Sequence, residues 1–357
     1  MREEVERVLA RYAGAELTYE SQSFLEYVVT SGSIERNFAE VYSELVAMGY
    51  QPLLTARAGH EVLRVFRVGL GGISRAVSYA LALATLAAVA VTGYFSAISF
   101  HECIGAADEL PLSVLAFTLS VLIPLALHEL GHFTVSRRAG VPTPLPLFIP
   151  APMVSPLGTF GAVITVRFLP RDRRSLALLG LSGPLVGVAV SLLTLLATLR
   201  MSPIVRLEEL KCVDVSPIGF VPMSMYLALI SGVIPRAEDA IILLHPAALA
   251  SMLLLLIHFA NLLPVGQLDG GHVLRSLTSM ELHRLVSLAV PATLILASLL
   301  VPAYRWLGLF SVLAILISGF RPHIGYSNQL SELSPRDRSL LFLIYLLLLF
   351  ATVPVPL

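Results

Sequence analysis

Charge is the scarcest property of this chain. Only 13% of its 357 residues are Asp, Glu, Lys or Arg, against about 25% in an ordinary soluble domain, while 56% are hydrophobic. Such a composition excludes an ordinary soluble enzyme and reads as a polytopic membrane protein. Net charge is zero, so there is no basic footprint for a nucleic-acid partner. Lysine is nearly missing: of 24 basic residues, Lys211 alone is not arginine, a bias without functional meaning. Two cysteines, Cys103 and Cys212, exclude a disulfide framework and a cysteine metal site. The opening Met1-Arg2-Glu3-Glu4-Val5-Glu6-Arg7 is acidic and helix-like, so no signal peptide is expected there.

Long apolar runs are what the chain has in quantity. At about 20 residues per crossing of a roughly 30 Å core, spans are expected at Ala76–Phe100, Leu112–Ser136, Leu176–Leu199, Ala240–Leu263, Leu285–Val301, Tyr304–Phe320 and Leu340–Pro354. Residues 1–70 differ, with ten acidic and seven basic residues and mixed patterning. Val5, Val8 and Leu9 have helical spacing, and Phe38, Val41, Tyr42, Leu45, Val46 and Met48 make a second amphipathic helix stopped by Gly49. Glu61 to Val68 alternates with period two and reads as a strand. The predicted fold is mainly α: a polytopic membrane bundle of about six or seven spans, with a re-entrant β-like segment and a small N-terminal soluble α/β domain. Residues 1–70 form that domain, a regulatory or docking module. Residues 71–357 form the membrane unit.

If residues 1–70 are cytosolic, inside flanks hold fourteen basic residues: Arg64, Arg67, Arg75, Arg137, Arg138, Arg167, Arg171, Arg173, Arg174, Arg275, Arg284, Arg321, Arg336 and Arg338. Outside flanks hold five: Arg200, Arg206, Lys211, Arg236 and Arg305. That bias fits the positive-inside rule. Cys103 and Cys212 both fall in outside loops, where a disulfide is permitted and two unpaired thiols are equally admissible.

The stretch Ala126-Leu127-His128-Glu129-Leu130-Gly131-His132 continues the uncharged run from Leu112 to Leu125. A carboxylate at the end of such a run costs roughly 2.5–3.5 kcal/mol on insertion scales, so Glu129 is expected to be functional. His128 and His132 are four apart, on one helix face, and can converge on one ion. Glu129, one step round, then reaches a water on that ion. In the orientation above this stretch lies at the cytosolic end of its span.

Between the second and third spans, Pro142, Pro144, Pro146, Pro150, Pro152 and Pro156 rule out a continuous helix. Ser155 to Gly161 is turn-like and Ala162 to Val166 strand-like. The segment is too apolar for a water-facing loop, so a hairpin or re-entrant loop near the site is expected. Its open edge could hold an extended peptide by strand addition, which makes Ala162, Val163 and Ile164 candidate substrate contacts. Gly183 and Gly187 in the third span form a GxxxG pair, by default a helix-packing device and also a candidate substrate contact.

A metalloprotease zinc needs three protein ligands and an open position, so two histidines are one ligand short. The other carboxylate stranded at the edge of an apolar span is Asp269, in Asn261-Leu262-Leu263-Pro264-Val265-Gly266-Gln267-Leu268-Asp269-Gly270-Gly271. Pro264 and Gly266 should unwind the span, and topology then returns Asp269 to the face that carries the histidines. Helix capping by Asp269 is the plainer alternative. His258 faces the same side as Asn261 and could line the cavity. His245 lies near the outer end, and His272 is an outer-shell or surface residue. His60, His101, His283 and His323 read as ordinary loop or surface residues.

His128-Glu129-Leu130-Gly131-His132, Gly183-Pro184-Leu185-Val186-Gly187 and Asn261…Pro264…Leu268-Asp269-Gly270, each in its own span, resemble the site-2 protease family of intramembrane zinc metalloproteases. Ser155-Pro156-Leu157-Gly158…Gly161 is similar to that family's loop after the first motif. The resemblance covers roughly residues 112–271, the implied catalytic core, and no PDZ-like insertion is evident. The resemblance implies one zinc ion held by His128, His132 and Asp269, Glu129 as general base and acid, and Asn261 against the substrate carbonyl or its oxyanion. It also implies a membrane-protein substrate cut within or near a transmembrane segment, in the bilayer of the cell membrane. A catalytically silent adaptor, an ion- or proton-coupled transporter, and an extramembranous HExxH peptidase with a glutamate ligand are the alternatives. No internal repeat favours the transporter, and no later span offers the glutamate.

Overall fold

The computed structural model describes residues 1–69, 72–105, 109–164, 166–212, 218–232, 240–318 and 323–357. Thr165, Arg236, Arg321 and the last two residues of the expected Tyr304–Phe320 span lie outside the described residues.

The chain starts with α1 (Arg2–Leu9), β1 (Ala13–Glu20), β2 (Phe24–Gly32), α2 (Phe38–Ala47), β3 (Tyr50–Arg57) and β4 (His60–Arg67). The strands form one antiparallel sheet in the order β1-β2-β4-β3. Leu25, Tyr27 and Val29 alternate inward on β2, as the two-residue strand period requires. They meet Val5, Val8 and Leu9 of α1 and Val41, Tyr42, Leu45 and Val46 of α2 in one core. That core also takes in Val141 and Phe168, from the connection between the second and third long helices.

The seam between the sheet and the rest of the chain is hydrogen-bonded. Tyr42 donates its hydroxyl to the Leu169 carbonyl at 2.7 Å, and Gln51 accepts from the Leu169 amide at 2.7 Å. Gln51 also donates to Ser327 Oγ at 2.6 Å. The backbone of Leu54 bonds Ser327 and Gln329, at 2.8 and 2.9 Å.

Beyond residue 71 the described elements are α3 (Arg75–Ile104), α4 (Leu110–Arg138), β5 (Leu147–Pro150), β6 (Thr159–Val163) and α5 (Arg173–Leu199). Then come β7 (Ile204–Val205), β8 (Phe220–Pro222), α6 (Met223–Ile230), β9 (Ile241–Ile242), α7 (Pro246–Leu262) and α8 (Asp269–Leu277). The chain ends with α9 (Met280–Leu300), α10 (Arg305–Ser318), α11 (Pro335–Thr352) and β10 (Pro354–Pro356). Among the described residues, α3, α4, α5 and α9 are long and apolar enough to cross a membrane. The 17 residues of α7 span about 26 Å at 1.5 Å per residue, short of a roughly 30 Å core. The fourth expected span is thus trimmed at its start. Pro246 has no N–H and disfavours helix before it, so Ala240 to His245 stay out of the helix and His245 caps it. The last expected span is trimmed at its end, where Pro354 pairs with Pro222 in a short β8–β10 ladder.

β5 and β6 pair antiparallel and form a hairpin between α4 and α5. Its tip reaches the middle of α3: Met153 N–H donates to Thr92 Oγ1 at 3.3 Å. Leu157 is buried with Val89 of α3, Phe117 and Val121 of α4, and Leu254 of α7. The strand spans Thr159–Val163 rather than Ala162–Val166, because pairing of Thr159 with Pro150 and of Ala162 with Phe148 sets its register.

At the far end of the bundle Cys103 and Cys212 are joined as a disulfide, with Cα atoms 4.7 Å apart. Ser113 Oγ lies 2.9 Å from both His101 Nε2 and His245 Nε2 there. His101, His283 and His323 are buried, contrary to their surface reading: His101 lies against Ser113, and the rings of His283 and His323 pack together.

Candidate metal centre

α4 carries His128, Glu129 and His132 in its last third, and all three are shielded from solvent. The helix lies close to α5 where both are small: a Cβ on Gly131 would stand 2.5 Å from the Ser182 carbonyl oxygen. A Cβ on Gly183 would fall inside the His132 imidazole, and one on Gly187 would stand 2.9 Å from His128 Nδ1. These two glycines therefore do more than pack helices. They leave the room that the histidine rings occupy.

The third group arrives because α7 stops at Leu262. Tyr345 donates its hydroxyl to the Leu262 carbonyl at 2.7 Å, and the next residues leave helical geometry. Pro264 cannot continue the ladder, and Gly266 adopts φ of 53°, a conformation that favours glycine. α8 then begins at Asp269 itself, so the residue is its first helical position rather than a turn residue before Gly271. Asp269 Oδ1 lies 3.3 Å from His132 Nε2, and Oδ2 lies 3.4 Å from His128 Nε2. The two Nε2 atoms are 3.0 Å apart. Among the described residues this is the one group of three such side chains whose ligand atoms all lie within 4.8 Å of one another.

The donor set suits zinc. Metal–nitrogen bonds of about 2.0 Å in a tetrahedron place ligand atoms about 3.3 Å apart, near the spacings found. His132 Nδ1 lies 2.9 Å from the Leu179 carbonyl, which fixes the proton there and turns the Nε2 lone pair to the centre. Glu129 is buried within electrostatic reach of His132 and Asp269. Asn261 donates from Nδ2 to Asp269 Oδ2 at 3.4 Å.

One feature escapes a reading of the sequence: the Leu179 carbonyl is a backbone atom. His258, expected from its spacing to Asn261 to line the cavity, lies flat against His128, ring centroids 5.0 Å apart and planes 15° from parallel. Ala162 and Val163 sit on β6, Ile164 just beyond it, on a two-stranded sheet whose outer edges pair with no other strand among the described residues.

A bundle of apolar helices with largely exposed outer faces, around two histidines and a carboxylate, fits a membrane protein with a metallohydrolase-type centre. The family model for Peptidase family M50 matches residues 116–302, just over half of the sequence. The chain belongs to this family, the site-2 protease family. Similar proteins include the probable zinc metalloprotease EGY1, chloroplastic, of Oryza sativa subsp. japonica, 30% identical over 171 residues, or 46% of this chain and 28% of that one. The probable zinc metalloprotease EGY2, chloroplastic, of Arabidopsis thaliana is 28% identical over 155 residues, or 43% and 27%. The matched region thus spans under a third of these relatives. No solved structure matches the chain.

Proposed function

We propose that the chain is an intramembrane zinc metalloendopeptidase that hydrolyses peptide bonds within or near transmembrane segments of membrane proteins. The convergence of His128, His132 and Asp269 beside buried Glu129, inside a bundle of apolar helices, carries this reading. The three side chains would hold one zinc ion. When bound, zinc supplies Lewis acidity toward a carbonyl and acidifies water to a pKa of about 7. Glu129 takes the proton of the attacking water and returns it to the leaving amine. Asn261 orients Asp269 and offers its second amide N–H to the oxygen that gains charge, an interaction worth roughly 2.7–4 kcal/mol elsewhere.

A helical substrate hides its carbonyls in its own ladder. The free edge at Ala162 and Val163, with Ile164 following, holds the unwound segment by strand addition. The arginine bias supports a cytosolic position for the N-terminal sheet and the site at the cell membrane. The shorter helices α7, α10 and α11 complete a bundle of about six or seven spans. Residues 1–70 are a cytosolic module, and residues 71–357 the membrane unit.

The test is metal analysis together with cleavage of a membrane-spanning model substrate. The intact protein binds one zinc and cleaves. Glu129→Ala keeps zinc and loses cleavage, and Asp269→Ala loses zinc. Full cleavage by Glu129→Ala overturns the reading.

A further inference from the structure

Arg275 is a buried cation that the proposed reaction does not use. It lies on α8, six residues after Asp269, and is 4% exposed. Among the described residues no carboxylate pairs with it. Instead Nε donates to the His323 carbonyl at 3.2 Å, Nη1 to the Thr278 carbonyl at 3.3 Å and Nη2 to the Ile324 carbonyl at 3.5 Å. The guanidinium also stands over the Tyr326 ring, 5.3 Å from its centroid. Gly325, at φ of 97°, lets the chain turn tightly around the guanidinium, and a Cβ there would stand 3.1 Å from Nη2. Residues 323–329 thus wrap around one side chain of the helix that begins with Asp269.

The same short segment is bonded on its other side. Ser327 N–H donates to the Pro170 carbonyl at 2.8 Å, and Asn328 N–H to the Arg171 carbonyl at 2.9 Å, just before α5. Leu54 N–H donates to the Ser327 carbonyl, Gln329 N–H to the Leu54 carbonyl, and Gln51 Nε2 to Ser327 Oγ. An unbroken path therefore runs from strand β3 through Ser327, Tyr326 and Arg275 to α8 and Asp269.

We propose that residues 323–329 are a strap by which the docked N-terminal sheet positions Asp269, with Arg275 as the positioning residue at its site end. This rests on Asp269 being a zinc ligand. A planar five-donor fork suits the task, because it grips several carbonyls at once where lysine offers a point charge. Coupling of this kind is reciprocal. If the sheet holds Asp269 in place, zinc on Asp269 must hold the sheet by the same factor.

Two measurements on the full chain in detergent test this. Hydrogen exchange compares zinc-loaded with zinc-stripped wild type. The amides of Leu54, Ser327, Asn328 and Gln329 are expected to exchange about 10-fold more slowly with zinc, within the usual range of coupling between sites. Equal protection with and without zinc overturns the proposal, and needs no variant to fold. The second measurement is zinc release to a chelator from Arg275→Lys, Gln51→Ala and the double variant. Each single change is expected to speed release about 10-fold, and the double variant no more than either. Distant, independent sites multiply their effects instead, and that outcome, or wild-type release from Gln51→Ala, overturns it. A wild type that binds no zinc at all refutes the metal centre itself and is thereby told apart.

Discussion

Asn261 donates to the same oxygen of Asp269, Oδ2, that faces His128. One amide thus touches the centre through a carboxylate, and its role divides into two measurable parts. Asn261→Ala is expected to weaken zinc binding about 10-fold, the usual effect of losing an outer partner of a ligand. Its kcat should fall further, by about 100- to 1000-fold, because an oxyanion donor is lost as well. Zinc titration and kcat measured at saturating metal separate the two. A kcat that recovers fully once zinc saturates leaves Asn261 only the orienting role.

The disulfide between Cys103 and Cys212 closes a loop across 109 residues of sequence. Chain-entropy arguments put closure of a loop of this length at about 4.7 kcal/mol, and apolar helices already confined to a bilayer bring the effect well below that. Cys103→Ser with Cys212→Ser is therefore expected to lower the thermal midpoint in detergent by several degrees while leaving zinc binding intact. Alkylation of unreduced protein should modify neither thiol. Labelling of both without reductant contradicts the pairing.

Asp172 caps α5, accepting from Ser175 N–H at 2.7 Å and from Arg171 Nε at 2.8 Å. Burial works to raise its carboxyl, but the Ser175 amide and the Arg171 guanidinium outweigh it and hold it below the ordinary value. A folded-state value below the unfolded one stabilises the protein above the unfolded value, about 3.9, and that stability is lost as pH falls through the folded value. Asp172→Ala is expected to cost about 0.5–2 kcal/mol at pH 7 through the lost cap. Asp172→Asn keeps a capping oxygen and should flatten the loss of stability below about pH 4. Thermal melts across that range decide it.

The candidate metal centre was legible because its three residues break a rule the rest of the chain obeys. A histidine pair at helical spacing and two carboxylates at the edges of apolar runs need a reason to be there. The unwinding at Pro264 and Gly266 was legible for the same kind of reason, since both residues punctuate a helix. The start of α7 was over-extended because hydropathy continues through Ile241 to Leu244 while Pro246 sets the helix boundary. The ends of β6 depend on its partner β5, and period alone cannot supply a register. Burial of His323 comes from packing against His272 and His283, which lie far before it in sequence. The Leu179 carbonyl, as backbone, leaves no trace in residue type.

Ser113 has a kinematic consequence. Its single hydroxyl lies between a histidine of α3 and the histidine that caps α7, while Ser113 itself belongs to α4. Three helices are therefore fastened at one end, with the Cys103–Cys212 bridge beside them on α3. To slide one of these helices along another at this end, both hydrogen bonds to Ser113 must break, at a net cost of about 0.5–1.5 kcal/mol each.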